Sequence, residues 1–113
     1  MIKKNVSEVT SEDVTKANSI KTTIQWLITK EDGAQNYTMR RFEIQEGGEI
    51  GLHEHPEEHE IYILEGKGQV FDDKGKITEI KDGDILFVPP NEPHGYKNTG
   101  NKPLSFICVI PYL

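Results

Sequence analysis

The sequence predicts an all-β fold, a sandwich or a barrel. Three observations predict it. Short runs rich in β-branched and aromatic residues recur along the chain. Clusters of Gly, Pro, Asn and Asp separate them at short intervals, as turns do. No segment keeps a 3.6-residue apolar period over three turns, which an amphipathic helix requires.

Residues 1–113 read as one domain with a polar N-terminal arm, 1–19. The arm is aperiodic and reads as a loose segment or an edge strand. From Ile20 the pattern becomes β. Residues 20–29 are rich in Ile and Thr, and Glu31-Asp32-Gly33 closes the strand. Residues 36–44 form a second strand, after which Gly47-Gly48 reads as a turn. Strands at 50–55, 59–64, 69–72, 77–80, Ile85–Val88, His94–Asn98 and 104–110 complete the pattern. Pro56, Gly66-Lys67-Gly68, Asp73-Lys74-Gly75, Asp82-Gly83-Asp84, the segment 89–93 and Thr99-Gly100-Asn101 separate them.

The composition narrows the partners. Charged residues make up 28 % and hydrophobic residues 35 %, and the net charge is −6. That argues against a phosphate-backbone partner, which calls for a basic patch. The start has Lys3-Lys4 but no apolar run after it, so it is not read as a signal peptide. No stretch is apolar enough to span a membrane, and the expected location is cytoplasmic. Cys108 is the single cysteine, so no intrachain disulfide forms.

The histidines carry the chemistry. There are four, and three fall in His53-Glu54-His55-Pro56-Glu57-Glu58-His59. The fourth, His94, follows the Pro-rich turn. In a strand, residues i and i+2 share a face, so His53 and His55 project together about 7 Å apart at the backbone. The bend at Pro56 returns His59 beside them. Imidazole is the commonest protein ligand for divalent transition metals, and the whole histidine content joins one site. Glu54, Glu57, Glu58 and Glu60 read as a solvated rim.

These residues resemble the cupin superfamily. Its first motif is matched by Gly47, His53, His55 and Gly66, and its second by Gly83, Pro89, His94 and Asn98. Asn91 stands where the second motif usually has Gly, and Asn tolerates the positive φ that such a turn needs. His59 stands at the position where the family usually has a glutamate. The looser spacing also admits Glu60, but strand alternation turns Glu60 to the opposite face, so His59 is preferred. The chain therefore looks like the small single-domain bacterial cupins that hold metal through four histidines, some of them manganese.

The resemblance implies a double-stranded β-helix, the cupin jelly-roll barrel. It implies one divalent transition metal per chain on His53, His55, His59 and His94. Manganese is favoured, with iron, nickel, copper or zinc as alternatives. Replacing the glutamate by histidine leaves the ion a net +2 and so a stronger Lewis acid. Phe106, Cys108 and Ile110 share a face by period two, which cupin topology aims into the barrel. Arg40 has the parity of Phe42 and Ile44. It either clamps a carboxylate of the substrate, pairs with an inner glutamate or reaches the rim. Tyr62 and Tyr96 read as donors to a ligand histidine or as interface aromatics. The expected partners are a small-molecule ligand or substrate and a second copy in a homodimer. The expected activity is that of a dioxygenase-like metal enzyme. A sugar-acid isomerase or lyase and a non-catalytic metal- or ligand-binding module are the alternatives.

Overall fold

The computed structural model describes residues 1–112 of the chain. Nine strands follow one another: β1 Ser11–Asp13, β2 Ile20–Ile28, β3 Tyr37–His53, β4 His59–Glu65, β5 Lys67–Phe71, β6 Ile77–Lys81, β7 Ile85–Val88, β8 His94–Asn98 and β9 Leu104–Pro111. They pair in the order β6-β5-β8-β3-β9-β4-β7, with β2 also on β3 and β1 on β2. The sheet curls into a jelly-roll barrel.

Strand β3 organises the barrel. Along its first half Thr38, Arg40, Phe42 and Ile44 are buried, while Tyr37 and Met39 face outward. This is the period-two alternation of a strand with one wet face. That half pairs with β9, from Tyr37↔Pro111 to Ile44↔Leu104. The far end pairs with β8 through Glu49↔Lys97, Ile50↔Tyr96 and His53↔His94. Gly47-Gly48 is therefore not the turn that the sequence suggested. The strand runs through it and changes partner there. Gly47 takes a φ of +77°, and a Cβ on Gly48 would stand 2.9 Å from the carbonyl oxygens of Ile20 and Lys21. The two glycines let the strand bend sharply without stopping.

Inner-facing Ile44, Ile61, Ile63, Leu104, Phe106 and Cys108 are at most 1 % exposed. Each large apolar side chain buried this way contributes about 1.5–3 kcal/mol. Phe42 stacks on Phe106 with ring centroids 5.3 Å apart. This apolar plug fills the barrel below the histidines and stiffens the strands that carry them. Of the two readings of the arm, Ser11–Asp13 adopts the edge strand and pairs with β2. Val14 then enters the core, and a 3-10 turn, Lys16–Asn18, crosses over the end of β3. No helix among the described residues is long and apolar enough to cross a membrane.

Candidate metal centre

Strand ends bring the histidines together. His53 closes β3, His94 opens β8, and the two stand opposite in register. His59 opens β4. The strand expected at 50–55 stops at His53, so His55 lies in the irregular connection to β4 rather than on β3. The Pro-rich turn holds that connection, because Asn91 donates its backbone N–H to the His55 carbonyl at 2.8 Å. Asn91 has a φ of +61°, the left-handed conformation that its place in the motif requires.

Ligand atoms of His53, His55 and His94 lie within 4.8 Å of one another, a cluster that could hold a metal ion. The His59 ring packs 4.3 Å from that of His55 and 5.1 Å from that of His94, centroid to centroid. Its Nε2 faces Nε2 of His55.

The hydrogen bonds behind the rings suit a cation. Nδ1 of His53 lies 2.8 Å from the Gly51 carbonyl, and Nδ1 of His94 lies 2.7 Å from the Glu92 carbonyl. A carbonyl only accepts, so both rings carry their proton on Nδ1 and present a bare Nε2 to the cluster. Carbonyl-anchored histidines of this kind are the usual support of metal ligands. Nε2 of His94 is buried with no hydrogen-bond partner, and an ion would satisfy it. Nδ1 of His59 lies 2.7 Å from Sγ of Cys108, and Nη2 of Arg40 donates to the same sulfur at 3.0 Å. Nη2 of Arg40 also lies 3.3 Å from Nδ1 of His59, so the ring, the thiol and the guanidinium form one buried cluster.

Burial keeps these rings neutral, as ligation requires. Desolvation, followed by the charge of Arg40, pushes His59 down to about 2 from 6.5. Burial likewise takes His94 to about 4 and lowers His53 and His55.

A cavity of about 10 Å³, room for roughly one water, adjoins the cluster. Phe42, Ile50, Tyr96 and Phe106 form its apolar walls. Arg40, Cys108 and Lys16 are its polar lining beside His53 and His59. Arg40 is 5 % exposed and has no carboxylate within ion-pair distance among the described residues. Its Nε has no partner, and its guanidinium carbon lies 5.0 Å from the Phe42 ring centroid. Burial raises the pKa of the Cys108 thiol, so the sulfur stays protonated and is not the missing counterion. Ile110 is partly buried and packs against the core. Tyr96 stands edge-on to His94 with its hydroxyl unpartnered, whereas Tyr62 is exposed. A larger cleft of about 250 Å³ between β5–β6 and β7 also reaches His94, lined by Val70, Leu86 and Phe87 among others.

The polar arm hides a part of this site that sequence reasoning missed. Lys16 lines the cavity from the 3-10 turn, and Ser19 and Gly51 hold that turn in place. The one available signal was Gly51, a residue without a side chain two positions before a ligand-type histidine.

The family described as "Cupin domain" matches residues 40–110. A protein from Thermotoga maritima described as oxalate-binding is 48 % identical over 71 residues, 62 % of this chain and 58 % of that protein. The matched segment thus spans little more than half the length of that relative. Among solved structures, the polyketide cyclase RemF from Streptomyces resistomycificus superimposes with a TM-score of 0.91 at 33 % identity, covering 98 % of this chain and 79 % of the other. A predicted oxalate decarboxylase from Thermotoga maritima gives 0.84 at 34 % identity, with 96 % and 97 % covered.

Proposed function

This chain belongs to the cupin family, and we propose that it binds a small carboxylate at a metal held by His53, His55, His59 and His94. The observation that carries this reading is Arg40. Its guanidinium is buried, faces no carboxylate and opens on the cavity beside the imidazoles. An unpaired buried charge costs several kcal/mol, and an anionic ligand would offset that cost. Four neutral imidazoles suit one divalent transition ion per chain. Manganese is placed first on the resemblance to four-histidine cupins, with iron, nickel, copper and zinc as alternatives that the donor set equally admits. When bound, such an ion supplies a Lewis acid that holds and polarises the donor oxygens of the ligand.

The chain's own residues do the rest. Arg40 orients the carboxylate, and Phe42, Ile50 and Phe106 keep water from competing for it. The relative described as oxalate-binding supports a small carboxylate as the ligand, which would have to widen the one-water cavity or reach the ion from its mouth. The cavity lining includes no carboxylate among the described residues to act as a base, which favours binding over acid–base turnover.

Calorimetric titration of the metal-loaded protein with oxalate tests this reading. Chelation of the metal should abolish binding, and Arg40→Met should weaken it about tenfold or more. Equal binding by the metal-free protein, or no effect of Arg40→Met, contradicts it.

A second reading is a metal-assisted enzyme, the dioxygenase-like activity included. The cleft of about 250 Å³ that reaches His94 favours it, as does the likeness to a polyketide cyclase. Oxygen uptake or product formation with diketone, phenol and thiol substrates separates it from simple binding.

We place the protein in the cytoplasm as a homodimer. Support for the second copy comes from the outer face, where exposed Tyr62 pairs in register with Ile107 and with exposed Ile85. Phe87 extends this apolar stripe. Light scattering on wild type and Ile85→Lys decides: a dimer turning monomeric agrees, and a monomeric wild type does not.

A further inference from the structure

Of the residues that line the cavity, Lys16 alone lies outside the barrel strands. The residue is exposed as a whole, yet it lines the cavity. Burial and then the charge of Arg40 hold its ammonium below its ordinary value. The chain carries a net charge of −6, but the two full charges at this cavity are both positive.

The turn that presents Lys16 is built with care for position. Ala17 and Asn18 both take positive φ, 54° and 60°. Two consecutive left-handed residues other than glycine cost about 1–2 kcal/mol each, and they persist only where surroundings hold them. The surroundings here are Ser19 and Gly51. The Ser19 hydroxyl donates to the Lys16 carbonyl at 2.7 Å and accepts the Gly51 N–H at 3.1 Å. The Gly51 carbonyl in turn accepts from Nδ1 of His53. The Ala17 carbonyl oxygen lies where a Cβ on residue 51 would go, at 1.7 Å. One short chain of contacts therefore ties the Lys16 turn to a histidine of the centre.

We infer that Lys16 is a specificity-determining residue of this site, a second cation that with Arg40 selects a small dicarboxylate over monocarboxylates. This rests on the carboxylate-binding reading above. The two cations reach the cavity from different elements, Arg40 from β3 and Lys16 from the 3-10 turn that packs on β3 at Gly51. A dianion engages both, whereas a monoanion needs only Arg40.

The test compares wild type, Lys16→Gln and Lys16→Arg, each loaded with manganese and titrated calorimetrically with oxalate and with acetate. Metal content is measured in parallel. Lys16→Gln should lose about tenfold in oxalate affinity and much less for acetate, with metal content unchanged. Lys16→Arg should stay within about threefold of wild type, because it keeps the charge. Bound oxalate should also protect Lys16 from reductive methylation relative to the other lysines. If wild type binds oxalate and Lys16→Gln binds it equally well, the role of Lys16 is refuted and the carboxylate reading stands. If metal-loaded wild type binds no oxalate, the carboxylate reading fails and the role of Lys16 fails with it.

Discussion

Replacing Gly51 with alanine should unseat the turn that carries Lys16 while leaving the histidines in place. The added Cβ would stand 1.7 Å from the Ala17 carbonyl oxygen and 2.9 Å from its carbon. Ordinary contact begins near 3.4 Å, so the turn must retreat by about 1.7 Å. The Ser19–Gly51 hydrogen bond at 3.1 Å cannot survive that retreat. Losing it costs about 1 kcal/mol, and overpacking adds about 1–3 kcal/mol. Relaxation of Ala17, the residue that the new Cβ displaces, returns about 1–2 kcal/mol, while Asn18 keeps its left-handed conformation. The net destabilisation should be about 2 kcal/mol, which lowers the melting temperature by roughly 8 °C. Differential scanning calorimetry measures the stability change, and calorimetric titration measures the oxalate affinity. Metal content should stay at the wild-type value, and oxalate affinity should fall as in Lys16→Gln. A Gly51→Ala protein that melts within about 1 °C of wild type, with unchanged oxalate affinity, would refute the reasoning.

Two further predictions concern the buried polar groups. His59 and His94 titrate near 2 and 4 in the folded protein but near 6.5 once unfolded. Below pH 6.5 the unfolded chain binds more protons, so the stability of the metal-free protein is full above that pH and falls with acid. By about pH 4 each ring should have removed about 3 kcal/mol, and urea midpoints measured from neutral pH downward should show it. A flat midpoint over that range contradicts the assigned burial. Cys108→Val leaves Nη2 of Arg40 without its sulfur acceptor and removes the sulfur contact of His59 Nδ1. Metal affinity should fall about tenfold or more in that variant and recover in Cys108→Ser, as metal-competition titration would record. Equal affinities for the two variants count against a supporting role for the sulfur.

Much of the barrel was legible because its strands obey local rules. Ile85–Val88 and His94–Asn98 fall where β-rich runs meet turn residues. The inward parity of Arg40 followed from Phe42 and Ile44, since alternation leaves no other face. Gly47-Gly48 misled because a glycine pair signals a turn locally. Which strands lie alongside is a non-local matter, and here β9 hands over to β8 with the strand unbroken. The histidine spacing suggested convergence, but the position of His55 depends on a hydrogen bond from Asn91, far away in sequence. Lys16 was illegible for a related reason. A polar, aperiodic arm carries no pattern of its own, and its path is set by Ser19 and a bare glycine on β3.

The claim that four imidazoles share one cation is tested most directly by elemental analysis of protein purified without added metal or a His-tag. Wild type should contain about one divalent transition ion per chain, and His55→Ala and His94→Ala should each lose most of it. Full stoichiometry in both variants, or a metal-free wild type that takes up no ion when offered one, would contradict the account.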